Sequence, residues 1–214
     1  MEDPWPLRHL VLRTPRLELR PDDDAGLLEL SEEAQLGVHP PDYMPFGVPW
    51  TDNKPSEWMQ FYWSTRAAFR QDSWTIHFMV RRDGRVIGEQ GIGGKDFALT
   101  RELHTGSWLG LRHHGQGLGT EMRAAVAMFA FDHLKAERLT SAAFDDNRAS
   151  HGVSRKLGYV PDGTDRVAIK GRARTQIRLL LTPEAFAATR PDWSVEVTGL
   201  DGCLPLLNSG VVDN

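Results

Sequence analysis

The sequence predicts an α/β domain, and three observations predict it. Runs of period-two alternation, such as Arg16-Leu-Glu-Leu-Arg20, are interleaved with longer helical patterns. An Asp83-Gly84 pair between two apolar runs marks a hairpin, and hence antiparallel strands. A loop with glycine at Gly115, Gly117 and Gly119 joins a strand-like run to a long helical pattern. The expected order is β-α-α-β-β-β-α-β-α-β-β, an α/β layout.

The elements follow in turn. Arg16–Arg20 reads as a half-buried strand. Pro21 and Asp22 to Asp24 then start a helix, acids first, that reaches about Gln35. The stretch from Gly37 to Trp50 is too proline-rich for helix or central strand. It reads as a long loop carrying Tyr43, Met44, Phe46 and Trp50, and long loops inside compact domains are usually functional. A helix spans Pro55 to Phe69. Trp74–Val80 and Val86–Gly93 form the hairpin, and Glu102–Leu111 is the next strand. Gly117 to about Lys135 is a long apolar helix that packs on a sheet. Arg138–Phe144 is a strand, and Asn147–Leu157 a helix stopped by Gly158. Val167–Ile169 and Ile177–Leu181 are the last strands, and a short helix follows Thr182-Pro183. The domain is expected over residues 1–182. Residues 183–214 are expected as a C-terminal helix and irregular tail, packed on or extending it.

Composition narrows the function. The chain has 214 residues, 40% hydrophobic and 25% charged, as in an ordinary soluble domain. A net charge of -4 and a pI near 6.1 leave no basic footprint for nucleic acid. No apolar run approaches the ~20 residues that span a bilayer, so no membrane partner is expected. The opening Met-Glu-Asp-Pro-Trp-Pro is unlike a secretory signal. The single Cys203 excludes an internal disulfide, so a reducing, cytoplasmic home fits. Cys203 lies in a Gly- and Pro-bearing tail and reads as an idle thiol. No metal site is expected: His113 and His114 are adjacent, and His104 and His151 lack ligand spacing.

The glycine loop carries the chemistry. Glycines let a ligand approach the backbone, and the first N–H groups of a helix are unpaired within it. Such a loop suits a phosphate or pyrophosphate. A mononucleotide loop needs Gly-Lys-Ser/Thr, yet no lysine lies between Lys95 and Lys135. A dinucleotide loop needs glycine at its sixth position. That position is Thr120 counting from Gly115, and Met122 counting from Gly117. A dinucleotide-dependent oxidoreductase therefore fails on spacing.

The observed His114-Gly-Gln-Gly-Leu-Gly119 resembles the acyl-coenzyme-A loop of the GNAT N-acyltransferases, Gln/Arg-x-x-Gly-x-Gly/Ala. His114 stands where that family prefers Gln or Arg. Arg13-Thr-Pro-Arg-Leu-Glu-Leu-Arg20 resembles the opening strand of the branch containing RimJ and RimL. Asn147-Arg-Ala-Ser150, followed by Leu157-Gly-Tyr159, is similar to that branch's Asn-x-x-Ser and Leu-Gly-Phe/Tyr helix. The resemblance spans about Leu10 to Leu181. It implies a GNAT fold with a mixed, mostly antiparallel sheet flanked by helices. It also implies transfer of an acyl group, by default acetyl, from acyl-coenzyme A to a primary amine.

The same resemblance assigns residues. Leu109, Gly110 and Leu111 would face the pantetheine arm, one of their N–H groups meeting the thioester oxygen. His114, Gly115, Gln116, Gly117, Leu118, Gly119 and Thr120 would hold the pyrophosphate. Asn147 lies near the coenzyme arm in the family and is also a favoured N-cap. Ser150 matches a serine proposed as general acid, with Tyr159, otherwise a packing residue, as runner-up. Glu89 is the first candidate for the base, ahead of Glu102, His104 and His77, since a mostly protonated amine must lose a proton. Alternation sets Glu89 on the opposite face from Ile92. Asp145 and Asp146 could bind a cationic substrate.

Tyr43, Phe46 and Trp50 would wall the acceptor side. The Gly37–Trp50, Lys95-Asp-Phe97 and Gly106–Leu111 segments look like an actinobacterial subgroup with some succinyl-coenzyme-A-using members. Lys95, Arg112 or Arg148 would then meet a succinyl carboxylate. The acceptor stays open between a small amine and a protein N-terminus or lysine. A coenzyme-binding protein without catalysis is the other alternative, and a homodimer is compatible with the chain.

Overall fold

The computed structural model describes residues 3–207. A 3-10 turn at Pro6–His9 leads into β1 (Val11–Arg13) and β2 (Glu18–Pro21). α1 (Asp24–Gln35) starts on Asp23, whose carboxylate accepts the Gly26 N–H at 2.6 Å. The chain then runs without helix or strand to a 3-10 turn at Trp50–Asp52 and α2 (Pro55–Ala67), which carries proline in its first turn.

β3 (Ser73–Arg82) and β4 (Arg85–Lys95) turn at Asp83-Gly84, both with positive φ, as a tight hairpin needs. A single helical turn, α3 (Phe97–Thr100), precedes β5 (Glu102–Leu109). α4 (Leu118–Met128) is followed by β6 (Arg138–Phe144), α5 (Arg148–Lys156), β7 (Val160–Ile169), β8 (Arg172–Leu181), α6 (Pro183–Ala187) and β9 (Glu196–Thr198).

The sheet runs β7-β8-β6-β5-β4-β3-β2-β1-β9, and every neighbouring pair is antiparallel except β5 and β6. The parallel pair is matched only over Glu102–His104 and Arg138–Thr140. Beyond those residues the two strands diverge, and a cleft opens between Gly106–Leu109 and Ser141–Ala143.

Each face of the sheet has its own core. The larger one holds Phe78, Ile92, Phe129 and Met122 under α4. The smaller one holds Leu27, Leu30, Tyr62, Met79 and Trp108 under α1 and α2. Alternation along β4 divides its side chains between them. Ile92 joins the larger core, while Glu89 pairs in register with Trp108 on the other face.

Three expectations need correction. The long helix after Gly117 is α only to Met128; Phe129–His133 is a π turn, with Leu134 N–H bonding Phe129 C=O at 3.1 Å. The last two strands, of 10 residues each, are more than three times and twice as long as their expected 3 and 5, because β7 and the first half of β8 are largely solvated and carry no buried alternation. β1 and β9 were not expected. After Pro183 the short helix is followed by a stretch that packs on the domain: Phe186, Val195, Cys203 and Leu207 are buried in the larger core, and Leu207 C=O accepts the Trp74 indole N–H at 3.1 Å. Residues 208–214 of the expected tail lie outside the described residues. No helix among the described residues is long and apolar enough to cross a membrane.

Candidate active site

The diverging strands form a cleft of about 860 Å³. At its mouth Gly115 and Gly117 have φ of +72° and +78°, where side chains with a Cβ are strained. Gly119 is helical, and an added Cβ would meet only Val153 and Leu109 at 3.6 and 3.8 Å. The first bonds of α4 start with Thr120 and Glu121 N–H to Gly117 C=O, so the amides ahead of them precede the helix ladder. Those amides and the helix dipole make an anion cradle.

Other residues hold the loop. His114 Nε2–H donates to Leu109 C=O at 3.0 Å, fixing its tautomer and tying the loop to the end of β5. Glu121, in the first turn of α4, is 7% exposed and is clasped by the segment before β2. Its carboxylate accepts from Thr14 Oγ1 at 2.6 Å, Arg16 N–H at 3.0 Å and Arg16 Nε at 2.6 Å. Arg16 also donates to Gln116 C=O at 3.0 Å. The Arg13-Thr-Pro-Arg16 motif thus acts on a loop about a hundred residues further along the chain.

Of the residues assigned to the coenzyme, Leu109, Leu111, His114, Gly115, Gly117, Leu118, Gly119, Thr120, Asn147 and Ser150 line this cleft. Gly110 and Gln116 do not line it. The Gln116 amide bonds Arg112 C=O and Arg82 instead. Gly110 is glycine because Glu33 lies against it: an added Cβ would sit 1.9 Å from Glu33 Oε1. Two of the N–H groups expected at the thioester are already engaged, Gly110 with Ile87 C=O and Leu111 with Gly37 C=O, both at 2.9 Å. Asn147 caps α5, its Oδ1 accepting Ser150 N–H at 3.1 Å, and both side chains remain in the cleft wall.

A second cavity of about 400 Å³ lies on the α1–α2 side of the sheet. Phe46, Gly106, Ser107 and Trp108 line both cavities, so the two meet along β5. Glu89, His77 and His104 face the second cavity. Glu89 Oε1 accepts a hydrogen bond from His77 Nδ1 at 2.9 Å, and both groups are nearly buried. Burial alone would lower the His77 imidazole, but the bond and charge of Glu89, with the charge of Asp22, outweigh it and hold His77 above its ordinary value. Burial pushes the Asp22 carboxyl up to about 6, against the pull of Arg66 and His77. Burial and the neighbouring His77 hold His104 low. Glu102 pairs with Arg138 at 2.8 Å and lines neither cavity.

The loop before α2 reaches both cavities. Tyr43 lines the coenzyme cleft, Trp50 the second cavity, and Phe46 both. The Tyr43 hydroxyl donates to Asp146 at 2.9 Å, and burial, with Asp146, raises it to about 12. Asp146 also pairs with Arg174 on β8, which donates to Met44 C=O at 2.7 Å. Asp146 therefore anchors the loop through Tyr43 and Arg174. Lys95 is exposed at the far end of β4 and lines neither cavity. Arg112 is bound to buried Glu33. Tyr159 is buried in the larger core and lines neither cavity, and burial holds its hydroxyl above the usual phenol range.

One residue carried no sequence signal. Arg123 on α4 is 6% exposed, lines the cleft, and donates to Ser107 Oγ at 3.0 Å and Ser154 Oγ at 2.9 Å. Among the described residues no group of three or more His, Cys, Asp or Glu could hold a metal ion.

A strand-to-helix glycine cradle, a divided sheet and a second cavity opening at the division define an acyl-coenzyme-A transferase architecture. Residues 9–160 match the family described as "Acetyltransferase (GNAT) domain", and the chain belongs to that family of acyl-coenzyme-A-dependent N-acyltransferases. Its fold is similar to that of Mycobacterium smegmatis RimJ in complex with CoA-disulfide, at 20% identity and a TM-score of 0.69, over 88% of this chain and 98% of that one. It is also similar to RimL, a ribosomal-protein alpha-N-acetyltransferase in complex with coenzyme A, at 15% identity and 0.67, over 80% and 97%. A spermidine N-acetyltransferase SpeG chimera from Vibrio cholerae and hSSAT matches at 14% and 0.65, over 80% and 98%.

Proposed function

We propose that the chain transfers an acetyl group from acetyl-coenzyme A to a primary amine by direct attack on the thioester. The observation that carries this is the meeting of the two cavities along Gly106–Trp108, with the glycine cradle on one side and Glu89 on the other. The donor cleft suits the coenzyme: left-handed Gly115 and Gly117, the open amides of α4 and the diverging strands leave room for phosphate and a slender arm.

In the transfer, the amine nitrogen bonds the acyl carbon and the carbon–sulfur bond breaks. Glu89 takes the proton lost by the amine, directly or through water, and His77 orients its carboxylate. Ser150 donates to the departing sulfur. Arg123, behind Ser107, adds a fixed positive charge near the seam where that negative charge develops. The balance is ammonium plus thioester giving amide, thiol and a proton.

Acetyl is favoured over succinyl by the family match, which is to an acetyltransferase domain. Lys95 is remote and Arg112 is bound by Glu33, which leaves Arg148 of the three at the cleft. Radiolabelled acetyl-coenzyme A, incubated with the protein and an amine panel, tests the reading. Label recovered in an amide supports it. Tight coenzyme binding with no label transferred to any amine leaves a coenzyme-binding protein without catalysis. Mass spectrometry of the product separates acetyl from succinyl.

A further inference from the structure

The walls of the acceptor cavity are unusual in composition. Four aromatic rings form one continuous surface: Trp50 lies 5.1 Å from Phe46, 5.7 Å from Trp58 and 5.1 Å from Trp108, centroid to centroid. Phe61 and Tyr62 close around His77, at 5.6 and 4.9 Å. Aliphatic side chains of α1, Leu27 and Leu30, complete the wall. Such surfaces bind flat apolar bodies by offset stacking and edge contacts.

The charges are equally selective. Two carboxylates line the cavity. Glu57 is exposed at the start of α2, where one of its oxygens accepts the Lys54 N–H at 2.7 Å. Glu89 is the deeper one, on the sheet beside His77. A single ammonium is therefore matched. A second or third ammonium, as on a polyamine, buried against the indole and aliphatic walls would meet no carboxylate short of the exposed Glu57, and burying an unpaired charge is costly. No lysine or arginine is among the described residues that line the cavity. A carboxylate on the acceptor would find no cation there but His77, which Glu89 already holds. A cavity of about 400 Å³ is at the small end of ligand pockets, large enough for one or two fused rings and a short chain.

Resting on the acyltransferase reading above, we propose that the acceptor is a free aromatic primary monoamine without a carboxylate. It would stack its ring among Phe46, Trp50, Trp58 and Trp108 and turn its amine toward Glu89 and the donor cleft.

The test is a thiol-release assay with acetyl-coenzyme A and five acceptors: 2-phenylethylamine, tryptamine, butylamine, spermidine and phenylalanine. The two arylalkylamines are expected to exceed butylamine, spermidine and phenylalanine at least tenfold in kcat/KM. Trp50→Ala should raise KM for 2-phenylethylamine at least tenfold, and KM for butylamine by less than half that factor. Its coenzyme A affinity, measured by calorimetry, confirms that the variant is folded. Spermidine or phenylalanine used as well as 2-phenylethylamine would overturn the proposal. So would a tenfold preference for a Phe-initiated peptide, which would point to a protein N-terminus. Direct binding separates this proposal from the one it rests on. Quenching of the cavity tryptophans by 2-phenylethylamine but not by spermidine, with no thiol released from any amine, would remove the acyltransferase reading and keep the pocket assignment. No quenching and no turnover with the arylalkylamines would remove the pocket assignment.

Discussion

His77 Nδ1 donates to Glu89 Oε1 across two adjacent strands, and the pair sits at the back of the acceptor cavity. The bond restrains the carboxylate of Glu89 and leaves its second oxygen to meet an acceptor. Glu89→Gln retains an oxygen for His77 but cannot take up the amine proton. Turnover should fall about 100-fold or more, with coenzyme affinity unchanged. An unchanged kcat, with chemistry shown to limit the rate, would exclude Glu89 as the base.

Ser150 lies in the wall of the donor cleft at the start of α5, where its N–H serves the Asn147 cap and its hydroxyl is left for a ligand. Ser150→Ala removes only the hydroxyl. A drop of about 10-fold in kcat, with little change in donor affinity, is expected. Wild-type turnover would reduce Ser150 to a residue of the helix start.

The glycines of the donor loop differ in what they tolerate. Gly117→Asp puts a side chain at a φ of +78° and a carboxylate where phosphate is expected. Coenzyme A should bind at least 10-fold more weakly, even with Arg16 nearby to offset part of the charge. Gly119→Ala meets only ordinary van der Waals contact and should leave the melting temperature nearly unchanged, so a loss of coenzyme affinity there would report approach of the ligand alone. Calorimetric titration of both variants is decisive. Wild-type affinity in folded Gly117→Asp would sink the assignment of the loop.

Phe46 is the one aromatic ring of the Gly37–Trp50 loop that lines both cavities. The loop is independently fastened by Tyr43, Arg174 and Asp146, so Phe46 is not its sole anchor. Phe46→Ala should therefore raise the acceptor's KM or alter acyl preference more than it lowers the melting temperature. A fully buried Phe→Ala costs about 3–5 kcal/mol, and the partly exposed Phe46 should cost less. Early melting with wild-type kinetics below the transition would refute the wall role.

The buried cluster also predicts how stability depends on pH. His77 titrates above its unfolded value, so its contribution is complete below about 6.5 and is lost as pH rises through the folded value. The Asp22 carboxyl titrates at about 6 rather than 3.8, so the folded state retains a proton that the unfolded chain has released. The stability this gives is complete below about pH 3.8 and is lost as pH rises to about 6, by at most roughly 3 kcal/mol, and stays lost above. Stability therefore falls first between about pH 3.8 and 6, with Asp22, and again above about 6.5, as His77 loses its proton. Asp22→Asn should flatten the lower decline, between about pH 3.8 and 6, and melt above wild type at pH 8, since Arg66 keeps Asp24 as a partner at 2.7 Å. An equally steep decline in the variant would show that other groups govern it.

Features encoded by neighbouring residues were legible in the sequence. Asp23 before α1, Asp83-Gly84 between β3 and β4, and Gly158 after α5 each act through local backbone geometry, so each marks its element. The face of Glu89 followed from strand alternation alone. Features made by distant contacts were not legible. Glu121 meets Thr14 and Arg16 across more than a hundred residues, and no spacing records that. Gly110 has the look of a ligand glycine because a glycine does not declare what approaches it; here it is Glu33. The β7–β8 hairpin was underestimated because a strand solvated on both faces carries no hydrophobic period. The aromatic cavity draws on α2, β5 and the loop, and became visible only once these were assembled.

The short parallel match between β5 and β6 makes the nine-stranded sheet two half-sheets sharing a seam of three residue pairs. Peptide groups lining the open part of that seam depend on whatever fills it. In the empty protein, amides at 105–109 and 141–144 on that side should exchange with deuterium faster than those deep in the β3–β4 ladder. A bound coenzyme would slow exchange on both strands together and raise the unfolding temperature with its concentration. The donor would then act as mortar between the halves, so that loading the protein for transfer also completes its sheet.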